Sequence, residues 1–146
     1  MTGVQTCALP IFSYHFVSEN RFREMAASGE LLEHAVVHGR HSYGTPRRDV
    51  CDAIASGRDV LLEIDIQGAR QVKQNLPEAK LVFIAPPSWE ELVRRLEGRG
   101  TEDASQVERR LTTARVELEA REEADFVVVN DRIENTAQAL IVLMGL

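Results

Sequence analysis

The chain has 146 residues, 44% of them hydrophobic, which is enough for one ordinary globular domain. A formal net charge of −6 argues against a nucleic-acid surface built on bulk positive charge, and the two distant cysteines, Cys7 and Cys51, suggest neither a disulfide framework nor a zinc site. The longest apolar tail, Ala139 to Met144, is far too short to span a bilayer, so a cytoplasmic protein without a membrane partner fits this composition best.

The front of the chain predicts short strands and helices in an insertion domain of antiparallel character. Residues 1–11 carry no charged side chain and no periodicity, and we interpret them as a non-native leader. From Phe12 onward the predicted elements are, in order, a strand over 14–17, a helix capped by Ser18 that ends near Gly29, a strand over 31–37, a turn from Gly39 to Tyr43, and a helix with Val50 and Ile54 on one face.

The rest of the chain alternates strands with helices. Uninterrupted apolar runs predict strands buried on both faces at 60–65, 81–85 and 126–130. The helices between and after them are predicted over 68–75, from a capping box of Ser88 and Glu91, over about 103–123, and over about 133–143. This alternation predicts an α/β fold with a parallel sheet.

Two acids end the first of these strands. Ligands of parallel sheets bind beyond the carboxyl ends of the strands, which is where Glu63 and Asp65 lie. Strand alternation places both side chains on one side, about 7 Å apart. They are therefore candidate site residues, and the alternative is a solvated strand terminus.

Seven ordered motifs resemble guanylate kinase. They are YHFVS (14–18), GELLEHA (29–35), YGT (43–45), LEIDIQG (62–68), FIAPPS (83–88), RLEGRGT (95–101) and VVND (128–131). The resemblance implies a P-loop NTPase-like core with a small GMP-binding domain and a helical lid. It also implies phosphoryl transfer from ATP to GMP with Mg²⁺, and no metal ligand is assigned to the protein itself. The implied layout is a GMP-binding subdomain over 12–52, α/β core over 53–94, lid over 95–118 and α/β core over 119–146.

The resemblance also implies a GMP site. A carboxylate at Glu33 can accept hydrogen bonds from guanine N1–H and the exocyclic amine, a donor pair that adenine lacks; the alternative is an outward-facing strand acid. Thr45 and Asp65 match residues near the base, although Thr45 could also be a turn residue before Pro46. Tyr14 and Tyr43 match tyrosines that hold the GMP phosphate, and each could instead be a packing residue. The loop before Tyr43 is one residue longer than the family's usual turn, so its register stays open.

Arginines and one asparagine are the candidates on the ATP side. Arg95, Arg99 and Arg110 match lid residues whose positive charge stabilises the transferring phosphoryl group. The alternative is pairing with Glu97, Glu102 or Glu108 on a solvated face. Asn130 and Arg95 match ATP contacts, and Asn130 could equally be a strand-end turn former.

Two family features are missing from the sequence. Neither a Gly-rich loop ending in Lys-Ser/Thr nor the arginines expected before Tyr14 are found. We therefore expect the carboxyl-terminal part of an enzyme, without appreciable kinase activity as written. A non-catalytic guanylate-kinase-like module that binds peptides, and a kinase with a phosphorylated ribose as acceptor, stay open as alternatives. The sequence does not determine the oligomeric state.

Overall fold

A computed structural model of the chain describes residues 2–4, 15–37, 41–97 and 104–146. The chain divides into two compact units, Met1–Ala79 and Lys80–Leu146. Among the described residues, no helix is long and apolar enough to cross a membrane.

The first unit combines antiparallel strand pairs with helices. Its elements in chain order are β1 Thr2–Val4, β2 His15–Val17, α1 Glu19–Ala27, β3 Leu31–Val37, β4 His41–Pro46, α2 Arg47–Ala55 and α3 Ile66–Asn75. Ser18 caps α1 as predicted, because its hydroxyl accepts a hydrogen bond from the Arg21 amide at 3.2 Å. Gly29 then follows the helix with a φ of 74°, which favours glycine. Gly39 and Arg40 of the predicted turn lie outside the described residues, and Tyr43 lies opposite Ala35 in the β3–β4 pair.

Strand β3 departs from simple alternation at its start. The register with β4 shifts between Leu31 and Glu33, so Leu32 is an extra residue in the strand. As a result three consecutive side chains are buried. Leu31 packs with Phe22, Leu32 lies in a second cluster with Val50 and Val72, and Glu33, the next residue along the strand, is also buried. The bulge therefore lets one short strand serve two hydrophobic clusters and still bury an acid.

The prediction of a buried strand over residues 60–65 is wrong. These residues lie outside any strand of the structure and pair with none of the described strands. The side chains of this segment still alternate between two sides. Val60, Leu62 and Ile64 pack against the cluster around Leu32, whereas Leu61 is 42% exposed. One side of an extended segment is thus covered and the other is not, which an unbroken apolar run does not reveal.

The second unit is an α/β arrangement around a parallel strand pair. Its elements are β5 Val82–Ala85, α4 Trp89–Glu97, α5 Ala104–Glu119, a 3₁₀ turn over Ala120–Glu123, β6 Phe126–Val129 and α6 Ile133–Met144. Strands β5 and β6 pair in parallel, with Val82 opposite Phe126 and Ala85 opposite Val129. Parallel strands with intervening helices agree with the predicted α/β class.

Two predictions for this unit need correction. The long charged helix ends at Glu119 and continues as a 3₁₀ turn. Strand β6 exists, but it is not buried on both faces, because Val127 is 49% and Val129 is 52% exposed. The backbone groups of β6 form hydrogen bonds with β5. Burial of the valine side chains would also require another layer packed over them, which the described part of this unit does not supply.

Candidate functional site

The centre of the candidate site is a buried acid facing a buried hydroxyl. Glu33 and Thr45 occupy opposed positions of the β3–β4 pair, and their side chains are 2% and 3% exposed. The Thr45 hydroxyl donates a hydrogen bond to Glu33 Oε1 at 2.7 Å. A buried carboxylate requires such donors, since an unpaired one is costly. The strand pairing itself therefore brings the acid and its first donor together.

The amino end of helix α3 approaches the same carboxylate. Asp65 caps this helix, and its Oδ1 accepts a hydrogen bond from the Gly68 amide at 2.8 Å. A Cβ atom at Gly68 would lie 3.1 Å from Glu33 Oε2 and 3.3 Å from the Ile64 Cβ, which is tight. Glycine at this position thus leaves the second oxygen of Glu33 beside the helix terminus.

Neighbouring charges and burial set the protonation of this cluster. Burial raises the pKa of Glu33, the hydrogen bond from Thr45 lowers it, and the carboxylate of Asp65 raises it, with a net rise. Burial also raises the pKa of Tyr43, and the negative charges of Asp65 and Glu33 add to that rise. Tyr43 is therefore held as a neutral phenol that can donate a hydrogen bond.

The structure brings together some of the predicted residues of the first unit and not others. Glu33, Tyr43, Thr45 and Asp65 lie close enough to bond or to shift one another's pKa. Glu63 has an exposed side chain, and the contacts of this cluster do not include it. Tyr14 lies outside the described residues.

The predicted ATP-side residues belong to the second unit. Arg95, on helix α4, donates to Glu91 Oε1 at 2.6 Å and to the backbone oxygen of Asn130 at 3.0 Å. The carboxylate partner of Arg95 is thus Glu91, which also pairs with Arg94. The side-chain oxygen of Asn130 accepts a hydrogen bond from Thr136 at 3.1 Å.

The other two lid candidates are less completely placed. Arg110 lies on helix α5 with an exposed side chain. Arg99 lies outside the described residues. Among the described lid candidates, Arg95 contacts a proposed ATP residue through its hydrogen bond to the Asn130 backbone.

Sequence reasoning missed how helix α3 contributes to the site. It began the helix at Gly68, whereas the helix begins at Ile66 with Asp65 as its cap. The signal was present, because an Asp directly before a helix is a favoured cap. The close approach of Gly68 to Glu33 carried no comparable sequence signal, since the two residues meet only through tertiary packing.

Comparison with known proteins decides the family. The guanylate kinase family model matches residues 12–145. The chain belongs to the guanylate kinase family. It is 55% identical over 132 residues to a guanylate kinase of Leifsonia xyli subsp. xyli and 53% identical over 131 residues to one of Streptomyces kasugaensis. Each alignment covers 90% of this chain, but only 52% and 63% of the respective relatives, so the chain spans between half and two thirds of their lengths.

A solved structure supports the same assignment. The crystal structure of guanylate kinase from Anaplasma phagocytophilum matches with a TM-score of 0.70 and 34% sequence identity. The match covers 99% of this chain and 72% of that one. The guanylate kinase resemblance and the P-loop NTPase-like α/β fold class predicted from the sequence are therefore confirmed.

Proposed function

We propose that this guanylate kinase family protein transfers a phosphoryl group from ATP to GMP, with Mg²⁺ accompanying ATP, and that its first unit holds the GMP. The observation that carries the proposal is the buried Glu33 carboxylate, bonded to Thr45 and set beside the helix cap Asp65. A nearly inaccessible acid on a strand otherwise rich in Leu, Ala and Val favours a ligand with paired N–H donors. Guanine offers such a pair.

Guanine selectivity follows from hydrogen-bond matching. The N1–H and the exocyclic amine of guanine point the same way and can donate side by side to the Glu33 carboxylate. Adenine presents an N1 lone pair at that position, so its binding would leave the buried acid without a donor from the base at N1. Such a mismatch costs about 1–3 kcal/mol or more, which translates into preference for GMP over AMP.

The side chains around Glu33 are proposed to bind the other groups of GMP. Thr45 orients the Glu33 carboxylate, and Asp65 offers an oxygen to the guanine amine. Tyr43, whose pKa is raised by burial and by the nearby acids, stays protonated and donates to the GMP phosphate. Tyr14 is proposed as a second phosphate donor, and Glu63 as an acid at the rim of the nucleotide site.

Residues of the second unit are proposed for the ATP side. Arg95, Arg99 and Arg110 would neutralise charge on the transferring phosphoryl group, and Asn130 with Arg95 would contact ATP. The hydrogen bond from Arg95 to the Asn130 backbone supports pairing these two roles. The proposed division is a GMP-binding subdomain over 12–52, a lid over 95–118, and core over 53–94 and 119–146.

Mg²⁺ enters the proposal as the ion that accompanies ATP. In the described part of the chain, no group of three or more His, Cys, Asp or Glu side chains could hold a metal ion. A cytoplasmic location, where ATP and GMP are available, is proposed with the activity.

Nucleotide binding tests the proposal directly, because GMP must bind before any transfer. Calorimetric titration of the chain is expected to show GMP binding and much weaker AMP binding. Glu33→Gln should weaken GMP binding roughly 30- to 150-fold, since it removes a charged acceptor from the base. The control Glu78→Gln removes an exposed carboxylate of the same unit and should change little. Equal affinity for GMP and AMP, or no effect of Glu33→Gln, would contradict the proposal.

A further inference from the structure

Gln71 on helix α3 binds the backbone of strand β3 as a neighbouring strand would. The His34 amide donates to Gln71 Oε1 at 3.1 Å, and Gln71 Nε2 donates to the His34 carbonyl at 3.0 Å. One side-chain amide thus satisfies both backbone groups of His34, which directly follows Glu33. This two-bond pattern fixes the position of the strand along and across the helix axis.

The strand needs support at this point because its pairing with β4 is irregular. The register shift lies between Leu31 and Glu33, immediately before the acid. A bulge disrupts the local ladder and re-aims side chains, so the other edge of the strand becomes important. Asn75, one turn after Gln71, donates to the Leu32 carbonyl at 2.9 Å on that same edge. Both sequence neighbours of Glu33 are therefore held by α3.

The same helix also lies beside the carboxylate of Glu33. Gly68 lies beside Glu33 Oε2, and Asp65 caps the helix while raising the pKa of Glu33. Helix α3 therefore holds the backbone of the two residues that flank Glu33 and also lies beside the Glu33 carboxylate. A change in the distance between strand and helix would move the two carboxylates relative to one another.

We propose that Gln71 is a positioning residue for guanine selectivity. By clamping His34, it sets strand β3 against the amino end of α3 so that the Glu33 and Asp65 carboxylates face the guanine N1–H and amine together. This inference rests on the proposed function, because it assumes that these acids read the base.

The test compares GMP with inosine monophosphate, which has the N1–H but lacks the exocyclic amine. The variant Gln71→Met removes both amide hydrogen bonds at nearly constant length, and Gln74→Met is its matched control on an exposed position of the same helix. Dissociation constants of both nucleotides are measured for each protein. The ratio of GMP to inosine monophosphate affinity is expected to fall roughly 5- to 10-fold in Gln71→Met and to stay within about twofold in Gln74→Met.

The outcomes separate positioning from simple stabilisation. A lower melting temperature with an unchanged affinity ratio would overturn the proposal, since a merely structural residue alters stability but not base discrimination. If Gln71→Met does not fold, Gln71→Ala decides by the same ratio, because alanine favours the helix. If the unmodified chain shows no preference for GMP over AMP and inosine monophosphate, the proposed function itself fails and this inference falls with it.

Discussion

The Thr45 hydroxyl donates to the Glu33 carboxylate at 2.7 Å, across two positions that face each other in an antiparallel strand pair. Both side chains are almost fully buried. The bond therefore occupies one oxygen of the acid while the other lies near Gly68. This arrangement makes the acid dependent on a small number of identifiable neighbours, and each can be changed separately.

Replacing Thr45 with valine tests the first of these neighbours. Thr45→Val keeps the shape but removes the donor, so it leaves a buried carboxylate with one fewer partner. We expect the free energy of unfolding to fall by about 1–3 kcal/mol and GMP binding to weaken, as measured by urea denaturation and calorimetry. Thr112→Val is the control. Thr112 is exposed, and the described hydrogen bond of its hydroxyl is to the Glu108 carbonyl of its own helix. Equal effects of the two substitutions would contradict the expectation.

The raised pKa of Glu33 gives the chain a pH-dependent stability. Because the pKa in the folded state exceeds that in the unfolded state, the folded state binds this proton more tightly. The associated stability is fully present below the unfolded pKa and is lost as the pH rises through the folded pKa. Without nucleotide, Glu33→Gln should therefore gain stability relative to the unmodified chain as the pH increases across that window.

Urea unfolding at a series of pH values from about 4 to 8 measures this difference. Glu78→Gln, which changes an exposed carboxylate in the same unit, serves as the reference. A stability difference that does not vary with pH, or that varies with the opposite sign, would show that burial of the Glu33 charge is not costly.

Asp65 combines a structural role with a proposed binding role, and two substitutions separate them. Asparagine caps helices about as well as aspartate, whereas alanine loses the cap at a cost of about 1 kcal/mol. We expect Asp65→Asn to retain the free energy of unfolding and Asp65→Ala to lower it, while both weaken GMP binding because both remove the carboxylate. If Asp65→Asn binds GMP as tightly as the unmodified chain, Asp65 is a cap alone.

Gly44 is required by the close approach of the two strands. A Cβ atom there would lie 2.6 Å from the backbone oxygen of Glu33, a contact that forces the strands apart. Gly44→Ala should destabilise the chain by about 1–3 kcal/mol in urea denaturation. Gly68→Ala is the comparison, since its nearest contact is a side-chain oxygen at 3.1 Å, which is less tight than the backbone contact at Gly44, and alanine also favours the helix. A larger loss in Gly68→Ala than in Gly44→Ala would refute this reasoning.

Local rules predicted those features that depend on near neighbours in sequence. The cap at Ser18, the helix that follows it, strand β3 and the end of helix α3 before Pro77 all occur as predicted. The same rules overestimated burial, as at Val127 in β6, because an apolar run records a preference for being covered and not whether a layer covers it.

The sequence by itself determined the guanylate kinase family and the α/β class, and it singled out Glu33 as the residue proposed to recognise the base. The resemblance had already implied that Thr45 and Asp65 lie near the base. Only the tertiary structure showed the hydrogen bond from Thr45 to Glu33 across a strand pair, and the approach of Gly68 and Gln71 on a helix more than thirty residues later. The physical reason is that hydrogen-bond capping and side-chain periodicity act over one or two turns, whereas a bulged strand packed on a helix terminus is set by contacts distant in sequence.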